Sequence, residues 1–150
     1  MAVTREQVLA LLYPVEPRYE QAAHQLGPEA LPHLRQIVEV GDPELASKAT
    51  FLAGVVNAAG SAEVLAAAAG SSDPVIRVAA AGALGNLDEV PSSLAHSMLD
   101  DEDVGVRIWA LRSLERQQPA GFKQKAQQMA ANDPNPTLRE HAARVADQLP

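Results

Sequence analysis

The chain has 150 residues, no cysteine and a formal net charge of −7 at pH 7, so disulfides and thiolate metal sites are excluded. Hydrophobic residues make up 47% of the chain and aromatic residues only 3%, which predicts a core of Ala, Leu and Val between closely packed helices. The acidic balance argues against nucleic-acid binding. The chain has no stretch of ~18 uncharged residues, which predicts that it has no membrane span. It also has no signal-peptide pattern at its N-terminus, which predicts a cytoplasmic protein.

Helix signals begin near the N-terminus. Thr4 and Gln7 have the spacing of a capping box, which predicts a first helix over Arg5–Leu12. A second helix is expected over 17–26 and a third over 28–40, because each segment opens with a proline and is followed by a glycine. These signals predict a chain that is helical from its first turn.

A stronger helix-start signal recurs about every thirty residues, at Asp42, Asp73, Asp103 and Asn135. Each side chain can accept a backbone N–H of the first helical turn, and each is followed by an Ala-rich apolar run. A proline follows three of these caps, where its fixed φ suits the first helical position, whereas Val104 follows Asp103. The pattern predicts four capped helices in equivalent surroundings.

Shorter helices are predicted between the capped ones, over 62–69, 92–99 and 121–131. No segment alternates with period two, so no strand is predicted. A repeat of this length indicates stacked units that cannot each bury an apolar face alone. The expected fold is an all-α solenoid in one domain over 1–150. Its five helical hairpins have the approximate bounds 4–26, 28–57, 61–87, 91–117 and 119–149.

The segment 73–85, with the sequence DPVIRVAAAGALG, resembles a HEAT repeat, most closely the HEAT-like repeats of the phycobilisome-lyase type. The residues at 106–107, 110–111, 138–139 and 142–143 restate its pattern. The resemblance implies an α-solenoid that binds other proteins and carries no active-site residue in its repeat motif. It also implies an alternative, a bilin lyase or chromophore chaperone.

Arginines follow three of the four caps at a constant distance, as Arg77, Arg107 and Arg139, whereas Ala46 occupies that position after Asp42. We interpret the caps and arginines as structural, each Arg bonding a carboxylate or loop carbonyl of the adjacent unit. The alternative is a charge ladder that binds a ligand. Recurrence in successive units favours the structural interpretation, because stacking requires it.

A helical wheel places Ile76, Ala80 and Ala83 on the core face of their helix. The opposite and flanking positions of the capped helices predict a stripe along the inner surface of the solenoid. Its residues are Lys48, Phe51, Val55, Val78, Ile108, Trp109, Arg112, Arg116 and Arg144. Exposed apolar clusters often mark interfaces, and Trp and Arg are common anchors, so the stripe is the predicted protein-binding site.

Two alternatives remain open for this stripe. Phe51 and Trp109 lie near the flank of the core face and can instead turn inward, whereas Ile108 is expected to face most directly away from the core. The arginines can recognise an acidic segment or a C-terminal carboxylate, or they can form an ordinary solvated face.

No pattern in the chain indicates catalysis or metal binding. The four histidines lack the spacing of a helical metal pair, and the acidic run at 100–103 lacks that of a calcium loop. No nucleophile, phosphate-loop or dinucleotide motif occurs. We therefore expect no catalytic residue, metal or cofactor, and a non-catalytic adaptor, scaffold or regulatory protein that binds a protein partner.

Overall fold

The computed structural model describes residues 2–150, and within this range the chain forms ten α-helices and no strand. The helices are α1 (Arg5–Leu12), α2 (Tyr19–Leu26), α3 (Leu31–Val40), α4 (Pro43–Val56), α5 (Ser61–Ala69), α6 (Pro74–Ala83), α7 (Ser92–Leu99), α8 (Val104–Leu114), α9 (Phe122–Asn132) and α10 (Pro136–Gln148). Short 3₁₀ helices occur at Gly27–Ala30 and Leu84–Asn86. The prediction of an all-α solenoid is confirmed. None of the helices in the described range combines the length and apolar character that a membrane crossing requires.

Five of the ten helices in the described range start at a side-chain cap. Thr4 and Gln7 form the capping box that begins α1. Asp42, Asp73 and Asp103 each accept a hydrogen bond from a backbone N–H of the following turn, at 2.9, 2.9 and 3.2 Å respectively. The amide oxygen of Asn135 does the same for α10 at 3.0 Å. These bonds satisfy donors that have no partner inside the helix, and they define the start of each capped helix.

The second helix begins later than predicted. Arg18 occupies the N-cap position of α2 with a non-helical backbone, so Pro17 lies before the helix. The Lys48 ammonium on α4 donates a hydrogen bond to the Pro14 carbonyl of the preceding loop at 2.9 Å. The preference of a proline for the first helical position does not decide where α2 begins.

The third helix also begins later than predicted, at Leu31. An α-helix starting at Pro28 would need a hydrogen bond from the nitrogen of Pro32, which carries no hydrogen. The chain instead makes the tighter bond from the Leu31 N–H to the Pro28 carbonyl, which closes a 3₁₀ turn. Gly41 then ends α3 in the left-handed conformation, at φ 86°.

The helices stack as successive pairs around one apolar core. The pairs α3/α4, α5/α6, α7/α8 and α9/α10 each pack together, whereas α1 packs against α3 and α4. The second helices α2, α4, α6 and α8 lie side by side in chain order. Small residues permit this close stacking: a β-carbon added to Gly54 on α4 would lie 3.0 Å from the Ala83 carbonyl oxygen. The row of second helices forms the surface described next.

Candidate functional site

Three positions in each of the last four units lie at the same distance from the cap and form a solvent-accessible surface. It spans the second helices α4, α6 and α8, which lie side by side, and α10, which is joined to the end of α8 by the contact of His141 with Glu115. We call this surface the inner face. It consists of Lys48, Phe51 and Val55 from the second unit, Ala79, Gly82 and Asn86 from the third, Trp109, Arg112 and Arg116 from the fourth, and His141, Arg144 and Gln148 from the fifth. All of these residues are exposed or half-buried, because their helices direct other positions into the core.

The inner face is aromatic on its α4 side. Phe51 is 36% exposed, and its ring packs edge-on against that of Tyr19 from α2, with the ring centroids 4.7 Å apart. Partial burial raises the pKa of the Tyr19 phenol above its ordinary value of 10.0. The inward orientation considered for Phe51 is therefore not adopted.

Lys48 is accessible to solvent over only 11% of its side chain. Its ammonium donates to the Pro14 carbonyl and pairs with the Glu44 carboxylate at 3.2 Å. These contacts fasten the loop between α1 and α2 to the start of α4. The cation counted in the predicted stripe is thus already occupied by groups of the same chain.

The third unit contributes small side chains, and the neighbouring tryptophan lies against them. A β-carbon added to Gly82 would lie 3.9 Å from Cε3 of Trp109, so the indole of α8 reaches over α6. Trp109 is nevertheless 45% exposed. Ala79 and Gly82 thereby form a low strip between the rings of Phe51 and Trp109.

Trp109 also contacts an arginine of its own helix. The guanidinium carbon of Arg112 lies 5.7 Å from the indole centroid, within the range of a cation–π interaction. Within residues 2–150, neither Arg112 nor its equivalent on α10, Arg144, forms an ion pair or a hydrogen bond. Both guanidinium groups are exposed and retain their donors.

The other positive and polar groups of the inner face connect neighbouring helices. Arg116 donates from Nη2 to the Gly85 carbonyl at 2.7 Å, which links α8 to the turn after α6. Nε2 of His141 lies 2.8 Å from Oε1 of Glu115, which links α10 to α8. Arg116 remains exposed and has further N–H donors that can bind a partner.

The expected orientation of Ile108 away from the core is wrong. Ile108 and Val78 are half-buried and pack against the core residues. Cγ2 of Val78 lies 3.6 Å from the position of a β-carbon on Gly105, which places this side chain between α6 and α8. A wheel of one helix cannot show this burial, because the neighbouring second helix covers these positions. Val55 is also half-buried and lines a surface cavity of about 470 Å³ with Asn86.

The recurring arginines join consecutive units on a different part of the molecule. Arg77 donates from Nε and Nη2 to the two carboxylate oxygens of Asp101, at 3.0 and 3.3 Å, and from Nη1 to the Ser71 carbonyl. Arg107 makes the same bidentate pair with Asp133, at 2.9 and 3.3 Å. These are charge-assisted links between the capping loops of neighbouring units.

The sequence does not identify Asp101 and Asp133 outright as the partners of these arginines, although it contains a signal for them. Asp101 and Asp133 precede their caps by two residues and follow units that contain the arginine. The unit with Ala46 has no arginine, and the corresponding position of the next unit is Ser71. An arginine after one cap is therefore accompanied by an aspartate before the next cap, and both are absent together. Tyr19, which supports Phe51, had no comparable signal.

The comparisons with known proteins bear on the repeated fold and do not identify a binding site on the inner face. A family model described as HEAT repeats matches residues 31–115, from the start of α3 to the end of α8. A comparison with curated proteins gives no match. The closer likeness to repeats of the phycobilisome-lyase type is not confirmed and stays a prediction. Within residues 2–150, no group of three or more histidine or carboxylate side chains is placed to hold a metal ion.

Proposed function

Because the chain belongs to the HEAT-repeat family, we propose that it is a non-catalytic adaptor, scaffold or regulatory protein that binds a protein partner on its inner face. Stacked helical repeats present extended surfaces that suit such binding. We propose a protein and not a nucleic acid as the partner, because nucleic-acid binding draws its affinity from a basic surplus that neutralises many phosphates, and this chain has 19 Asp and Glu against 12 Lys and Arg.

The observation that carries the proposal is the exposure of Trp109. It is the single tryptophan of a chain with only 3% aromatic residues, yet 45% of it is accessible to solvent. Trp and Arg dominate the binding energy of protein interfaces, and Arg112 lies beside this indole without another partner in residues 2–150. Phe51 adds a second partly exposed ring to the same surface.

The proposal is tested with the double variant Trp109→Ala/Arg112→Ala. The protein and the variant are immobilised, and proteins captured from the native cell extract are identified by mass spectrometry. We expect the variant to lose the captured partner, since a hot-spot residue contributes ~2 kcal/mol, or about thirtyfold in affinity.

The matched control is Arg35→Ala/Glu39→Ala, which removes an exposed ion pair from α3, outside the inner face. It should capture the partner as well as the unchanged protein does. Circular dichroism melting of both variants shows whether each remains folded. A folded Trp109→Ala/Arg112→Ala variant that captures the same partner with the same affinity would exclude the inner face as the main binding surface.

A further inference from the structure

We propose that the partner segment is acidic, and that it places its carboxylates over α8 and α10 and an apolar side chain beside Trp109. This inference rests on the proposed function and names the chemistry that the inner face recognises. Three observations support it: the distribution of charge, the freedom of two arginines, and the shape of the third unit.

Charge is distributed unevenly over the molecule. The chain contains 19 Asp and Glu residues against 12 Lys and Arg, yet none of the positions of the inner face is acidic. The acidic residue Glu20 lies on its α4 side, where it lines a cavity with Val55 and Asn86, away from α8 and α10. The same positions carry Lys48, Arg112, Arg116 and Arg144. Because Lys48 is engaged with the Pro14 carbonyl, the available positive charge lies on α8 and α10 alone. The positive groups of the inner face attract an acidic segment, whereas the acidic surface elsewhere on the protein repels it.

Arg112 and Arg144 occupy equivalent positions on successive second helices, and neither has a hydrogen-bond partner in residues 2–150. The same segments carry Glu115, which contacts His141, and the exposed residues Glu140 and Asp147, which lie within one turn of Arg144 on α10. The indole holds Arg112 in place, so less side-chain entropy is lost when it binds a carboxylate.

Helix spacing sets the separation of the carboxylates. Closely packed helices lie roughly 10 Å apart, and an extended chain advances ~3.3 Å per residue. Because α10 packs less closely on α8 than α8 does on α6, two carboxylates that contact Arg112 and Arg144 together should be separated by three or more positions in an extended segment. Each guanidinium can make the bidentate contact that Arg107 makes with Asp133.

The third unit provides room for the apolar part of the segment. Ala79 and Gly82 form a low strip between the rings of Phe51 and Trp109. Because the Trp109 indole covers part of Gly82, a Leu or Phe side chain of the partner is expected to lie over Ala79 and against the exposed part of the indole. The bound segment is thus expected to be apolar over α6 and acidic over α8 and α10.

The test selects peptides from a displayed library of random dodecamers. The targets are the unchanged protein, Arg112→Gln/Arg144→Gln, Trp109→Ala, and the control Arg35→Gln, whose arginine lies on α3. We expect the unchanged protein and the control to enrich peptides with two Asp or Glu separated by three or more positions, beside Leu or Phe. The double variant should not enrich these acidic peptides.

The best peptide is then titrated against the protein while the fluorescence of Trp109 is followed, which reports directly on the surface because the chain has no other tryptophan. Replacing both acidic residues of the peptide by Gln should weaken binding by about tenfold to a hundredfold, as expected for hydrogen bonds to charged groups. The same replacement should have little effect on Arg112→Gln/Arg144→Gln, because the two changes remove one interaction.

The outcomes separate the two proposals. Enriched peptides that require Trp109 but carry no carboxylates would overturn the acidic segment and leave the protein-binding face in place. Tighter binding of a thymidine dodecanucleotide than of the selected peptide would also overturn it, in favour of phosphate. No enrichment, or enrichment that neither inner-face variant changes, would contradict the inner face as a binding surface and both proposals with it.

Discussion

Removing the arginine that joins the fourth and fifth units should destabilise the protein strongly. Arg107→Ala deletes the bidentate partner of Asp133, whose side chain is only 4% exposed. The variant leaves this carboxylate buried without its counter-charge. Breaking a buried ion pair from one side costs ~3–5 kcal/mol, which is a large part of the 5–15 kcal/mol that stabilises an ordinary domain.

The matched control is Arg139→Ala. Arg139 follows its cap at the same distance as Arg107, but it donates only to the Asp133 carbonyl and has no carboxylate partner in residues 2–150. Its removal should cost ~1 kcal/mol, the usual contribution of a single hydrogen bond. The two variants remove the same side chain, but Arg107 is more buried and also donates to the carbonyls of Asp101 and Glu102, so their difference reports the ion pair together with one further hydrogen bond and the greater burial.

A second variant separates the buried charge from the lost contacts. Adding Asp133→Asn to Arg107→Ala replaces the unpaired carboxylate by a neutral amide. The amide oxygen can still accept the hydrogen bond from the Asn135 N–H, which the carboxylate accepts at 2.9 Å. The double variant should therefore be more stable than Arg107→Ala alone.

Urea unfolding followed by circular dichroism at 222 nm measures all three variants at one pH and salt concentration. In thermal melts, Arg107→Ala should lower Tm by roughly 6–20 °C, given 2–4 °C per kcal/mol for a chain of this size. An Arg107→Ala variant no less stable than Arg139→Ala would refute the view that the pair of Arg107 with Asp133 contributes to joining the fourth and fifth units.

Two further predictions concern packing. Ala80→Asp and Ala110→Asp each place a carboxylate at a fully buried position and should cost several kcal/mol. The control Ala66→Asp, on the exposed side of α5, should change stability little. Equal midpoints of the three variants in thermal melts would contradict the helix register. Gly54→Ala should cost ~1–3 kcal/mol, because its β-carbon would lie 3.0 Å from a carbonyl oxygen of α6. Gly82→Ala, whose β-carbon would lie 3.9 Å from its nearest neighbour, should be neutral or stabilising in urea unfolding.

Local signals in the sequence determine most of the fold. The caps at Asp42, Asp73, Asp103 and Asn135 predict helix starts correctly, because the bonds they make lie within one turn of the same residue. The core face of α6 is likewise buried as the helical wheel predicts. The start of α2 is an exception, because Pro17 predicts it at residue 17 whereas the helix begins at Tyr19.

Only the tertiary structure decides which residues of the inner face are available to a partner. Trp109 and Ile108 are adjacent in sequence and on the same helix, yet the first is exposed and the second packs against the core. The pairing of Arg107 with Asp133 likewise joins residues from separate units. Side-chain accessibility and ion pairing depend on the neighbouring helix. A periodic sequence pattern specifies the angle of a residue around the axis of its own helix, but it does not specify how far away the neighbouring helix lies.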